Sequence, residues 1–255
     1  MTVDEAPTSD DAALGGRLIL RQPLRGHRFG HDAILLAAAT PAHPDEQAVE
    51  LGAGVGAAGL ALAWRVARLA VTLVEIDPAL AALAADNAAR NRLSPRVRAI
   101  CLDVAAPAAA FAAAGLGSGS AHHVLMNAPF NAPQNSPPDP ARRLARTASP
   151  ATLPLWLRTA ARLLAPRGTL TLIWRADGLS DVSAALAAEF GGVAIMPVFA
   201  KTEAPAIRVL LRAVKGSKAP SLLLPGLTLA DKTGQPTAAA EAVLRDGAAL
   251  EFAGS

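Results

Sequence analysis

An apolar strand, Ala48-Val49-Glu50-Leu51, runs into Gly52-Ala53-Gly54-Val55-Gly56 and then into a helical stretch over 57–68. A strand that stops at glycines and restarts as a helix leaves backbone N–H groups facing a ligand. Glycine also lets that ligand come close to the main chain. A second strand, Val71-Thr72-Leu73-Val74-Glu75, follows the helix. The unit is therefore βαβ, right-handed, and built for a parallel sheet. Glu75, at the end of the second strand, is placed to accept hydrogen bonds from ribose hydroxyls.

The pattern continues beyond that unit. Pro78 stands where a first helical residue belongs, and an Ala-rich helix runs over 79–92. Strands follow at 97–102 and at Val124-Leu125-Met126, then a helix over 152–164, a strand over 168–174 and a helix over 180–190. Two further strands occupy 193–198 and 207–214, and a last helix runs from about 238 to 250. Ahead of the sheet, residues 17–24 alternate weakly and end near Gly26, which predicts a short hairpin, and a helix follows from Asp32. Hydrophobic residues make up 52% of the chain but aromatics only 4%, with no Tyr, so Ala, Leu and Val must fill the core. Such small side chains favour helices packed closely on a sheet.

Residues 1–16 carry Asp4, Glu5, Asp10 and Asp11 with no Lys or Arg, which predicts a disordered acidic leader rather than a basic secretory signal. A single domain is expected over 17–255, with hairpin and helix at 17–46, core at 47–215 and tail at 216–255. One Cys excludes an internal disulfide framework, pointing to the cytoplasm, and Cys101 reads as a buried strand residue. No apolar run reaches the roughly 18 residues of a membrane span. The net charge of +3 is compatible with a nucleic-acid partner without requiring one. His122 and His123 read as loop residues, and no metal is expected.

After Met126 the periodicity lapses through a Pro-rich stretch, 127–150, that opens with Asn127-Ala128-Pro129-Phe130. A long irregular segment at this place predicts a substrate-binding loop, mobile without substrate. Arg142, Arg143 and Arg146 within it suit phosphate contacts, and Arg17, Arg21, Arg25 and Arg28 form a second basic stretch; a solvated surface explains either set equally well.

Asn127-Ala128-Pro129-Phe130 resembles the Asn-Pro-Pro-Tyr/Phe turn of amino-methyltransferases acting on adenine N6, cytosine N4 or glutamine amide nitrogen. Those nitrogens are poor nucleophiles because their lone pairs are delocalised. The Asn side-chain oxygen and the next backbone carbonyl can bind both amine hydrogens and aim the nitrogen, while the aromatic ring stacks on the planar substrate, worth about 1–3 kcal/mol per base. Ala128 stands where the family has Pro. Its carbonyl survives the change, and Pro129 still biases Ala128 to extended backbone.

The resemblance implies a Rossmann-like, seven-stranded class I methyltransferase sheet, mostly parallel with one antiparallel strand, and S-adenosylmethionine as cofactor. It also implies that Glu50 faces the methionine part of that cofactor and that Asp103 accepts from its adenine amine. Phe29-Gly30-His31-Asp32-Ala33-Ile34-Leu35-Leu36 is similar to a narrower family, bacterial methyltransferases of adenosine N6 beside the anticodon of a valine tRNA. There Asp32 matches a residue against the methionine end, and tRNA is the implied partner; a monomer or weak dimer is expected. Alternatives stay open: a protein glutamine N5-methyltransferase, a binding module without turnover, or a dehydrogenase. The dehydrogenase reading rests on Gly54-Val55-Gly56-Ala57-Ala58-Gly59 with Glu75 beyond it.

Overall fold

The computed structural model describes residues 7–25, 28–129 and 151–252. Its first strands are β1 (Thr8–Ala13) and β2 (Leu18–Pro23), followed by helix α1 (His31–Ala39). Next come β3 (Gln47–Leu51), α2 (Ala57–Arg65), β4 (Ala70–Glu75), α3 (Pro78–Arg90), β5 (Val97–Cys101) and α4 (Ala108–Ala113). The second half contains β6 (Ala121–Met126), α5 (Thr152–Leu163), β7 (Leu164–Arg175), α6 (Leu179–Leu186), β8 (Phe190–Lys201) and β9 (Ala206–Lys215). Two short strands, β10 (Leu222–Leu223) and β11 (Leu227–Ala230), and helix α7 (Ala238–Leu244) complete the described chain.

Seven strands lie in the order β5-β4-β3-β6-β7-β9-β8, and only β9 runs against its neighbours. The expected seven-stranded sheet with one antiparallel strand is thus present, extended at one edge by β10 and β11, both parallel to β8. Period-two alternation divides the strand residues between two cores. Leu73, Leu125, Ile173 and Leu210 meet α1, α2 and α3 on one face. Val124, Met126, Leu172 and Leu211 meet Phe111 of α4, Leu157 of α5 and Val182 of α6 on the other. Helices therefore cover both faces, as a parallel sheet requires.

The leader departs from expectation. Thr8–Ala13 is not disordered but pairs antiparallel with β2, so the hairpin's first strand lies in the segment read as leader and residues 17–24 supply only its second. The cause is electrostatic. Asp10 pairs with Arg21 and Arg90, and Asp11 with Arg28, so the charge that signalled solvation is neutralised in place. Two smaller readings also change. Cys101 is exposed on edge strand β5, and His122 and His123 both lie within β6, the second of them buried.

Candidate active site

The sheet's carboxyl edge gathers the residues singled out above. Leu51 at the end of β3 is in register with Val74 of β4 and Met126 of β6, so the glycine turn, Glu75 and Asn127 leave three adjacent strands at one level. The turn is held by main-chain bonds: the N–H groups of Gly52 and Ala53 both donate to the Val74 carbonyl, at 2.9 and 3.0 Å. Gly52, Gly54 and Gly56 all have positive φ, which L side chains rarely adopt. Close approach adds a second requirement farther along. A Cβ on Gly59 would run into Leu73 and lie 2.7 Å from the Glu50 carboxylate, so this glycine lets α2 settle onto β3 and β4.

Glu50 lies beneath that helix. Its Oε2 accepts from the Gly59 N–H at 2.7 Å, satisfying a first-turn donor of α2. Burial pushes its carboxyl up to about 8; the Gly59 N–H opposes the shift and nearby Glu75 adds to it. Enclosed in this way, Glu50 braces the turn from below. Glu75 braces it from the side, accepting from Gly54 N–H at 2.7 Å through Oε2 and from Asp77 N–H at 2.9 Å through Oε1. One carboxylate thus ties the loop after β3 to the loop after β4. Asp103 is exposed just past β5, and its Oδ1 accepts from Ala105 N–H at 2.8 Å. Asp32, in the first turn of α1, accepts from Arg208 Nε of β9 at 3.0 Å.

Asn127 is half-buried just past β6, and Ala128 is 1% exposed, its methyl in the same core as Leu157 of α5. Phe130, Arg142, Arg143 and Arg146 lie outside the described residues. Two contributors had escaped the sequence reading. The ring of Trp156 on α5 closes directly on Gly52, where a Cβ would collide with its Cη2, so the indole walls the turn. Asn87 of α3, fully buried, donates from Nδ2 to Val55 O of the turn at 3.1 Å and to Arg21 O at 2.9 Å. For Asn87 a signal existed: it is the polar residue in the helix stripe Ala81, Ala84 and Ala88. For Trp156 none did, since its partner is a residue without a side chain.

Comparison with known proteins agrees with this architecture. A predicted O-methyltransferase from Agrobacterium tumefaciens superposes with a TM-score of 0.72 at 28% identity, covering 86% of this chain and 98% of that one. The T. thermophilus 16S rRNA N2 G1207 methyltransferase shares the fold, with TM-score 0.53 and 20% identity over 85% of this chain and 47% of that one. Among curated sequences, a Porphyromonas gingivalis protein named tRNA1(Val) (adenine(37)-N6)-methyltransferase is 30% identical over 159 residues, 61% of each chain. A Bacteroides fragilis protein of the same name is 28% identical over 148 residues, 57% of this chain and 59% of its own. The matches thus span about three fifths of the curated relatives' length. Residues 28–202, well over half the chain, match the methyltransferase small domain, and the dehydrogenase reading falls with that match. The chain belongs to the methyltransferase small domain family, enzymes whose cofactor is S-adenosylmethionine.

Proposed function

We propose that this protein methylates the exocyclic N6 amine of adenine in RNA, with tRNA near the anticodon as its substrate. The observation that carries the reading is the register that sets Asn127 beside the glycine turn, one residue beyond the paired Leu51 and Met126. The names of the Porphyromonas and Bacteroides relatives support the choice of nucleic acid over protein.

The turn fits the cofactor. A Cβ built on Gly54 meets nothing within 4 Å, so open space stands over the backbone there, while the Gly54 N–H is already held by Glu75. Glu75 has lone pairs left for ribose hydroxyls, and Asp103 presents an exposed carboxylate one strand farther along. S-adenosylmethionine supplies an electrophilic methyl on a sulfonium. The chain's own part is to hold the amine. The Asn127 amide oxygen and the Ala128 carbonyl accept its two hydrogens, draw the nitrogen lone pair out of conjugation and aim it. Positioning of this kind needs no strong base. The core packing of Ala128 takes over part of the stiffness that Pro provides in the family turn.

The test is transfer of labelled methyl to unmodified tRNA, followed by nucleoside analysis. N6-methyladenosine is the expected product. Asn127→Ala should lower turnover by about 10²–10³-fold, the loss typical of removing one preorganised hydrogen-bonding group, with cofactor affinity unchanged. Full turnover in that variant overturns the reading.

A further inference from the structure

At the opposite, amino-terminal edge of the sheet lies a cavity of about 400 Å³, within the usual range for small-molecule sites. It opens where α1 ends and leaves the face of β6, β7, β9 and β8 uncovered. Polar side chains occupy this stretch of an otherwise apolar face. His123 is in register with Thr169, and Thr171 with Arg212, which in turn faces Ala194, so all of them point to the α1 side.

His123 and Thr171 each bury an unpartnered polar atom, and Arg212 lacks a counter-charge among the described residues. Arg212 is 9% exposed; its Nε and Nη2 both donate to Ala39 O, at 3.2 and 2.7 Å, and Phe252 covers its guanidinium at 4.2 Å. Beside it, Arg65 donates to Ala37 O and Thr40 O. Neither arginine has a carboxylate partner among the described residues. Burial, with Arg65 adding, lowers the Arg212 pKa to about 10. His123 Nδ1 and Thr171 Oγ1 are buried without a hydrogen-bond partner. His122 accepts from Gln47 N–H through Nδ1, which leaves its Nε2–H as a donor, and both His122 and Arg167, each exposed, line the cavity. Glu46 is the cavity's carboxylate, and it is already engaged by His123 Nε2 at 2.8 Å and His43 N–H at 2.6 Å.

Buried polar groups are normally paired, and buried charges compensated. The Ala39 carbonyl takes two donors of Arg212, and those of Ala37 and Thr40 take Arg65, yet they bring only a partial negative charge to two guanidinium groups. We propose that this cavity is a second ligand site that takes a phosphate group, bound by Arg212 from within and by His122 and Arg167 at the rim. Arginine and imidazole N–H groups lining one cavity suit a phosphate oxyanion. The phosphate belongs either to a small phosphorylated metabolite or to the RNA backbone. The site is independent of methyl transfer and is tested without cofactor.

The experiment is a titration of the ¹⁵N-labelled full chain with inorganic phosphate. Saturable shifts are expected at Thr169, Gly192 and the Arg212 Nε. No saturable shift, or shifts confined to residues 52–56, would overturn the proposal. Arg212→Met should weaken binding about tenfold or more. Because Arg212 also caps α1, that variant risks unfolding; Arg167→Gln, at an exposed position, should then weaken binding severalfold, and full-strength binding by the folded Arg167→Gln variant together with an unshifted Arg212 signal counts against the site. Ribose 5-phosphate and a short single-stranded RNA separate the sources. Displacement of phosphate by the RNA assigns the site to backbone phosphate, and displacement by ribose 5-phosphate alone assigns it to a metabolite.

Discussion

Glu50 shows how one buried carboxyl couples the glycine turn to pH. Its folded pKa of about 8 stands above the ordinary value of 4.5, because burial disfavours the anion more than the Gly59 N–H supports it. Between those two values the folded protein holds a proton that the unfolded chain has released. Stability therefore falls as pH rises through that window. Glu50→Gln keeps an oxygen for the Gly59 N–H and cannot ionise. Denaturant midpoints measured across the window should decline for the native protein and stay nearly level for the variant. An equal decline in both would show that Glu50 is not the titrating group. The variant should keep its fold, since the neutral amide resembles the protonated acid already favoured there.

The elements are joined by side chains imitating main chain. Asn87 on α3 and Asn91, its C-cap one turn on, face Arg21 and Ile19, two apart on β2. Asn87 bonds both the N–H and the carbonyl of Arg21, at 2.7 and 2.9 Å, and Asn91 does the same for Ile19, at 2.9 Å each. Four helical residues rise about 6 Å and two strand residues span roughly 6.6 Å, so the spacings match. The helix thereby satisfies the free edge of β2 as a strand would. Asn87→Ala strands Arg21 and Val55 groups in a buried place and should cost about 2–4 kcal/mol, read as a lower chemical denaturation midpoint with an unchanged slope. A loss under about 0.5 kcal/mol, the range of ordinary surface substitutions, would mean that water replaces the amide.

This contact also marks where sequence reading reached its limit. Helices α2, α3 and α5, strands β3 and β4, and the turn between β3 and α2 were legible, because period, glycine spacing and Pro78 are local signals. Strand β1 was misread, since Asp10 and Asp11 acquire their meaning from Arg21, Arg28 and Arg90, arginines spread along the chain to Arg90. The short β10 and β11 have too few residues to show a period, and the contact of Trp156 with Gly52 is a tertiary accident of two faces meeting.

Across the whole molecule the net charge of +3 is less informative than its pairing. The basic stretch near the hairpin is largely neutralised: Arg17 meets Asp246, Arg21 meets Asp10 and Asp86, and Arg28 meets Asp11. These pairs are partly exposed, so each is worth only about 0–1 kcal/mol to stability. Their larger effect concerns polyanions, because β1 lays two carboxylates over three arginines that would otherwise face solvent. Asp10→Asn with Asp11→Asn raises the formal net charge from +3 to +5 and frees Arg21, Arg28 and Arg90 from their leader partners. If RNA is the substrate, the double variant should bind non-cognate single-stranded RNA more tightly at low salt. Its plot of log affinity against log salt should steepen by about 0.7 for each phosphate newly contacted, or roughly 2 if all three arginines engage. Filter binding over a salt series measures that slope directly. A steeper slope with unchanged thermal stability assigns the acidic strand to limiting indiscriminate RNA binding. An unchanged slope means that RNA approaches another face, and leaves β1 the role of pairing with β2 and holding α3 through the Asp10–Arg90 ion pair.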